Sequence, residues 1–202
     1  MIYLDNAATT KPSKAAVDAM IKAAECFGNP SSLHGLGIEA EKLINESKKN
    51  IADMLGVESK NILFTSGGTE ANNLAVFGVA AARHKIGTKI VTSKIEHPSV
   101  LEAFRKLEID GFNVEYLDVD SEGRVDLDML RNVLDDETIL ISVMHVNNET
   151  GVIQPIEEIR EIMLEKAPYA HLHTDCVQSF GKIDVHGYDL TCWHSPGPLI
   201  GG

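Results

Sequence analysis

The chain has 202 residues, 44% hydrophobic and 24% charged, with a formal net charge of −12. That length supports one domain with a sizeable core, and the composition is ordinary for a globular protein. The acidic balance excludes non-specific nucleic-acid binding, and no apolar run approaches the roughly 18 residues of a membrane span.

In chain order, Ser13 is placed to cap a helix carrying Val17, Met20, Ile21 and Ala24 at helical spacing. A second helix is predicted from about Ile38 to Leu55, stopped by Gly56. Ile62-Leu63-Phe64-Thr65 reads as a short strand, followed by a helix from about Thr69 to His84. Lys89 to Thr92 is the next strand, Ser99 to Asp110 a helix stopped by Gly111, and Asn113 to Leu117 a strand. Asp126 caps a short helix to Leu134. Thr138 to Met144 is the strongest strand, and Pro155 opens a helix to about Lys166. Ala170 to Asp175 is another strand, and Asp189 to Trp193 is a final candidate.

This alternation implies an α/β fold, with a mostly parallel sheet and helices on both faces. Ligands of such sheets sit beyond the carboxyl ends of the strands. One main domain is expected over residues 13–202, with residues 1–12 as an N-terminal arm. The start Met1-Ile2-Tyr3-Leu4-Asp5 lacks the features of a signal peptide, so a cytoplasmic location is expected. Cys26, Cys176 and Cys192 are odd in number and widely spaced, which fits reduced thiols rather than a disulfide framework or a Cys-x-x-Cys metal site.

Four strand ends carry ligand-capable groups. Thr65-Ser66-Gly67-Gly68-Thr69-Glu70 joins a strand to a helix. Its glycines and the helix N-terminus suit an anion, with Thr69 as a hydroxyl donor. The alternative is an ordinary turn with a capping threonine. His97 lies between a strand and a helix, able to stack on a flat ring or move protons, or simply a polar loop residue. Asn147-Asn148-Glu149-Thr150-Gly151 follows the strongest strand, as ligand donors or as turn formers. Asp175 ends a strand, where a carboxylate faces a buried ligand or bonds local backbone. With His171 and His173 it also makes a possible metal triad, although a strand buried between helix layers turns that face into the core. Gln178 lies three residues further on, within reach of the same pocket or as a solvated loop amide.

The set resembles the aminotransferase class V family, and within it cysteine desulfurases of the NifS/IscS type. The resemblance runs through Tyr3-Leu4-Asp5-Asn6-Ala7-Ala8-Thr9-Thr10, Gly28-Asn29-Pro30-Ser31-Ser32-Leu33-His34 and Ser66-Gly67-Gly68-Thr69-Glu70-Ala71-Asn72-Asn73. It continues at Glu96-His97, at His145-Val146-Asn147-Asn148-Glu149-Thr150-Gly151, and from His173 to Lys182. These motifs span about nine-tenths of the chain.

The resemblance implies the large domain of a fold-type-I transferase that uses pyridoxal phosphate. Gly68 and Thr69 would hold the phosphate, and His97 would stack on the pyridine ring. Asp175 would pair with the ring nitrogen, and Gln178 would contact the ring hydroxyl oxygen. Asn148 would lie near that oxygen and the substrate carboxylate. No metal is implied. The implied reaction converts L-cysteine to L-alanine in a homodimer, passing sulfur as a persulfide to an acceptor or an iron–sulfur scaffold protein.

The resemblance breaks after Gln178. The family pattern has His-Lys after the next strand, and the lysine carries the cofactor. Here Ser195 follows His194, and no lysine occurs after Lys182. None of the three cysteines matches the persulfide cysteine, and the small domain is not represented. The expectation is therefore a truncated desulfurase, from a frameshift near Asp184 to Trp193, inactive as this chain. The alternatives are a non-catalytic fragment or partner of an intact homologue, and another class V pyridoxal-phosphate enzyme.

Overall fold

A computed structural model describes residues 2–183 and 190–192. The chain divides into two compact units, one up to Phe64 and one beginning at Thr65.

The first unit holds two helices, α1 (Lys14–Glu25) and α2 (Gly35–Leu55). Ser13 caps α1 as predicted, its hydroxyl oxygen accepting the amide of Ala16 at 3.1 Å. α2 ends at Gly56, which adopts the left-handed conformation (φ 66°) that glycine reaches without a Cβ penalty. α2 begins three residues earlier than its apolar spacing predicts, because the His34 ring accepts the Gly37 amide at 3.4 Å and caps the helix there.

The predicted strand at Ile62–Thr65 is not one. Only a 3-10 turn, Ser59–Asn61, precedes it, and no strand pairs with it among the described residues. Leu63 is 65% exposed. Apolar extended sequence becomes a strand only where a neighbour completes its hydrogen-bond ladder.

The second unit alternates helix and strand. It runs α3 (Gly68–Arg83), β1 (Lys89–Ser93), α4 (Pro98–Ile109), β2 (Asn113–Leu117), α5 (Leu127–Val133), β3 (Thr138–Ser142), α6 (Ile156–Lys166), β4 (His171–Asp175) and β5 (Leu190–Cys192). The five strands pair in the order β2-β1-β3-β4-β5, every pair parallel.

Strand alternation divides the core in two. On one face Ile90 and Leu140 pack with Val76 and Val79 of α3 and with Val100, Phe104 and Leu107 of α4. On the other face Val91, Ile141 and Leu172 pack with Leu130 of α5 and with Ile159 and Ile162 of α6. Each such side chain contributes roughly 1.5–3 kcal/mol on burial, and β3 is buried along its whole length. A parallel sheet covered on both faces directs its polar loops to one edge, the carboxyl ends of the strands. Among the described residues no helix is long and apolar enough to cross a membrane.

Candidate active site

The N-terminus of α3 is open. Gly67 is its cap residue, extended, and no side chain caps the helix. Thr69 therefore sits inside the first turn and is not the capping threonine of the simpler alternative. The first-turn carboxylate of Glu70 turns back onto Ser66, accepting its amide and its hydroxyl, each at 2.6 Å. Those two bonds hold the Glu70 carboxyl below its ordinary range. The helix end keeps its positive pole and its free first amides, a ready anion cradle.

His97 caps α4. Its Nδ1 accepts the Ser99 amide at 3.1 Å and lies 2.7 Å from the Ser99 hydroxyl. Pro98 follows at the first helical position, where its missing N–H costs nothing. Thr69, His97 and Ser99 line one cleft of about 480 Å³, together with Asn73, Phe77 and Lys106. Of the sequence-predicted site residues, Thr69 and His97 border this cleft, whereas Gly68, Asn148, Asp175 and Gln178 are not part of its lining.

Asp175 is the last residue of β4 and is buried. Its Oδ1 accepts the Val177 amide and its Oδ2 accepts the side-chain amide of Asn72, both at 2.9 Å. The same Asn72 nitrogen donates to the Ser99 hydroxyl oxygen at 2.9 Å. Asp175, Asn72, Ser99 and His97 therefore form one connected polar chain. Sequence reasoning assigned no role to Asn72 or Ser99. A signal was present: Asn72 lies three residues past Thr69 on a helix, hence on the same face.

Glu96 is a third group to which the sequence assigned no role. Its Oε1 accepts the Ser93 hydroxyl at 2.6 Å and the Met144 amide at 2.9 Å, while Oε2 is buried without a hydrogen-bond partner. Burial pushes its carboxyl up to about 8, against the pull of those two bonds, and the negative Asp175 nearby adds to the rise. At neutral pH Glu96 is mainly a carboxylic acid.

The two asparagines after β3 divide their work. Asn147 is buried and structural: its Oδ1 accepts the Glu149 and Thr150 amides, both at 2.9 Å, and its Nδ2 donates to the Ile95 carbonyl at 3.1 Å. Asn148 is exposed in the turn that Asn147 shapes. Gln178 is half-buried in the turn after Asp175.

The aminotransferase class V model matches residues 2–193 of the sequence. The chain belongs to the aminotransferase class V family. A class V chain from Bacillus subtilis (strain 168), a putative cysteine desulfurase IscS 1, is 48% identical over 185 residues, covering 91% of this chain and 48% of the relative. A cysteine desulfurase IscS from Methanosarcina thermophila is 49% identical over 185 residues, covering 91% and 45%. A solved NifS-like protein superposes with a TM-score of 0.93 at 38% identity, covering 98% of this chain and 56% of that one. SspA, solved in complex with cysteine, gives 0.91 at 35% identity, covering 98% and 59%. The chain spans about half the length of the curated relatives it matches. The class V family is pyridoxal-phosphate-dependent.

The remaining candidates of this class V chain have structural surroundings. The ring of His171 meets Arg83 Nη2 at 2.8 Å. His173 is fully buried, its Nδ1 lying 2.7 Å from the Ser142 hydroxyl. Burial holds its imidazole down to about 4, so the ring is neutral. The two rings that suggested a metal triad are engaged separately. Cys176 is buried, and desolvation pushes its thiol up to about 12, far from a reactive thiolate. His194 and Ser195, where the family lysine was sought, lie outside the described residues.

Proposed function

We propose that the chain is the pyridoxal-phosphate-binding part of a cytoplasmic cysteine desulfurase. The whole protein converts L-cysteine to L-alanine and passes the sulfur on as a persulfide, acting as a homodimer that serves a sulfur acceptor or iron–sulfur scaffold. Residues 1–12 form its arm and residues 13–202 belong to its large domain. The observation that supports this reading is the polar chain that connects His97 through Ser99 and Asn72 to Asp175.

The donor set fits the cofactor. An anion is offered the uncapped N-terminus of α3 at Gly68 and Thr69. A protonated ring nitrogen is offered Asp175, whose two accepted N–H bonds fix its orientation. When bound, pyridoxal phosphate supplies an electron sink for bonds at the substrate's α-carbon.

The chain's own residues bind and orient. Gly68 and Thr69 hold the phosphate, His97 stacks on the ring, and Asp175 keeps the ring nitrogen protonated. Gln178 contacts the ring hydroxyl oxygen, and Asn148 lies near that oxygen and the substrate carboxylate. Neutral Glu96 adds no second negative charge beside the Asp175 carboxylate.

Titration of pyridoxal phosphate into the 202-residue chain tests this, with visible circular dichroism as the readout. An induced band is expected, weakened roughly tenfold or more in affinity by Asp175→Ala, as for a lost charged hydrogen bond. A folded chain giving no induced band at saturating cofactor overturns the reading.

A further inference from the structure

Asn72 is 1% exposed, on α3 one turn past Thr69. Its side-chain nitrogen spends one hydrogen on Asp175 Oδ2 and the other on Ser99 Oγ, each at 2.9 Å. An amide nitrogen has two hydrogens, so both donors are committed. Ser99 Oγ, already accepting, keeps its own hydrogen to give, and His97 Nδ1 lies 2.7 Å away. That ring nitrogen also accepts the Ser99 amide. A ring nitrogen receiving two donors carries no proton, so the hydrogen of the neutral ring sits on Nε2.

The direction of this chain is fixed by chemistry. Rotating the Asn72 amide by half a turn would aim its oxygen at the Asp175 carboxylate, acceptor against acceptor. It would also draw the Ser99 hydroxyl hydrogen away from His97. The observed orientation leaves Asn72 Oδ1 buried without a partner, an expense that a leucine of similar size would not incur.

We propose that Asn72 is a positioning residue that sets two cofactor-facing groups at once: it presents the Asp175 carboxylate and, through Ser99, holds His97 as the Nε2–H tautomer. This rests on the reading that Asp175 and His97 face pyridoxal phosphate, and it gives a role to Asn72, which lies within the Ser66–Asn73 motif but was assigned none. His97 lies in the loop after β1 and Asp175 ends β4, so a shared anchor ties two strand ends together.

The test uses the 202-residue chain labelled with 15N-histidine, with His97 assigned by its loss in His97→Gln. The unmodified chain should show a hydrogen-bonded, unprotonated Nδ1 and a protonated Nε2. Ser99→Ala should move the Nδ1 resonance toward that of an unbonded acceptor. Asn72→Asp, of the same shape, should move it the same way, because any proton on the new carboxyl is drawn to the Asp175 carboxylate and its oxygen is left to accept from Ser99. Asn72→Asp should also weaken pyridoxal-phosphate binding at least tenfold, since Asp175 then faces a second carboxyl group. An Nδ1 resonance unmoved by Ser99→Ala, or unmoved in folded Asn72→Asp, overturns the inference, as does unchanged cofactor affinity in that variant. Should Asn72→Asp fail to fold, Ser99→Ala alone still decides whether the hydroxyl donates. Should the unmodified chain take up no cofactor, the functional reading falls while the ring-nitrogen measurement still decides the role of Asn72.

Discussion

Glu96 accepts the backbone amide of Met144 at 2.9 Å, so one buried carboxyl fastens the loop after β1 to the segment leaving β3. Asn147 adds a second fastening between the same loops by donating to the Ile95 carbonyl at 3.1 Å. The first loop carries His97 and the second carries Asn148. Two strand ends are thereby held in register by side chains with no proposed contact to the cofactor.

Glu96 makes stability fall toward alkaline pH. Burial raises its carboxyl from 4.5 to about 8 in the folded state. A raised group contributes stability that is complete below the unfolded value and lost as pH climbs through the folded one. Urea unfolding of the chain should therefore weaken between pH 5 and pH 8 by an amount on the order of a few kcal/mol. Glu96→Gln, which does not titrate, should flatten that decline. Parallel slopes for the two proteins would show that Glu96 is ionised when folded.

His173 acts on the acid side. Burial lowers its imidazole from 6.5 to about 4, so its stabilising contribution is present above the unfolded value and lost as pH falls through the folded one. His173→Asn keeps a polar neighbour for Ser142 and does not titrate. The variant should be less stable than the parent at pH 7, and the gap should narrow from pH 6.5 to pH 4. Denaturation midpoints across that range measure it, and a constant gap contradicts it.

Cys176 should resist alkylation in the native chain. It is fully buried, with its thiol pushed up to about 12, whereas Cys26 is half-buried. Iodoacetamide at pH 8 followed by peptide mass mapping should find Cys26 modified and Cys176 intact until urea is added. Equal labelling of both would show that Asp175 sits in an open, mobile segment.

Gly87 should not tolerate alanine. A Cβ there would lie 2.0 Å from the Glu137 carbonyl oxygen, which also accepts the Lys89 amide at 3.2 Å where β1 begins. The clash is with backbone, so relief requires moving the start of β1 or β3. Gly87→Ala should cost about 1–3 kcal/mol in urea unfolding, as overpacking does. A neutral effect would mean that the turn shifts freely.

The sequence by itself determined the order of helices and strands of the second unit and the strand ends that carry His97, Asn148 and Asp175. Those features are local: caps such as Ser13 and Asp126 act within one turn, and apolar periods repeat within a few residues. It also carried the family, because the motifs are ordered and dense. Tertiary structure alone decided what depends on distant neighbours. Ile62–Thr65 has strand composition and no ladder to join. Asn147 and Asn148 are alike in sequence, and only packing sets one as a buried brace and the other in solvent. Asn72 joins Ser99 across 27 positions and Asp175 across 103. Glu96 is a neutral acid because many residues together exclude water from it, and desolvation is a sum over the fold that no local pattern contains.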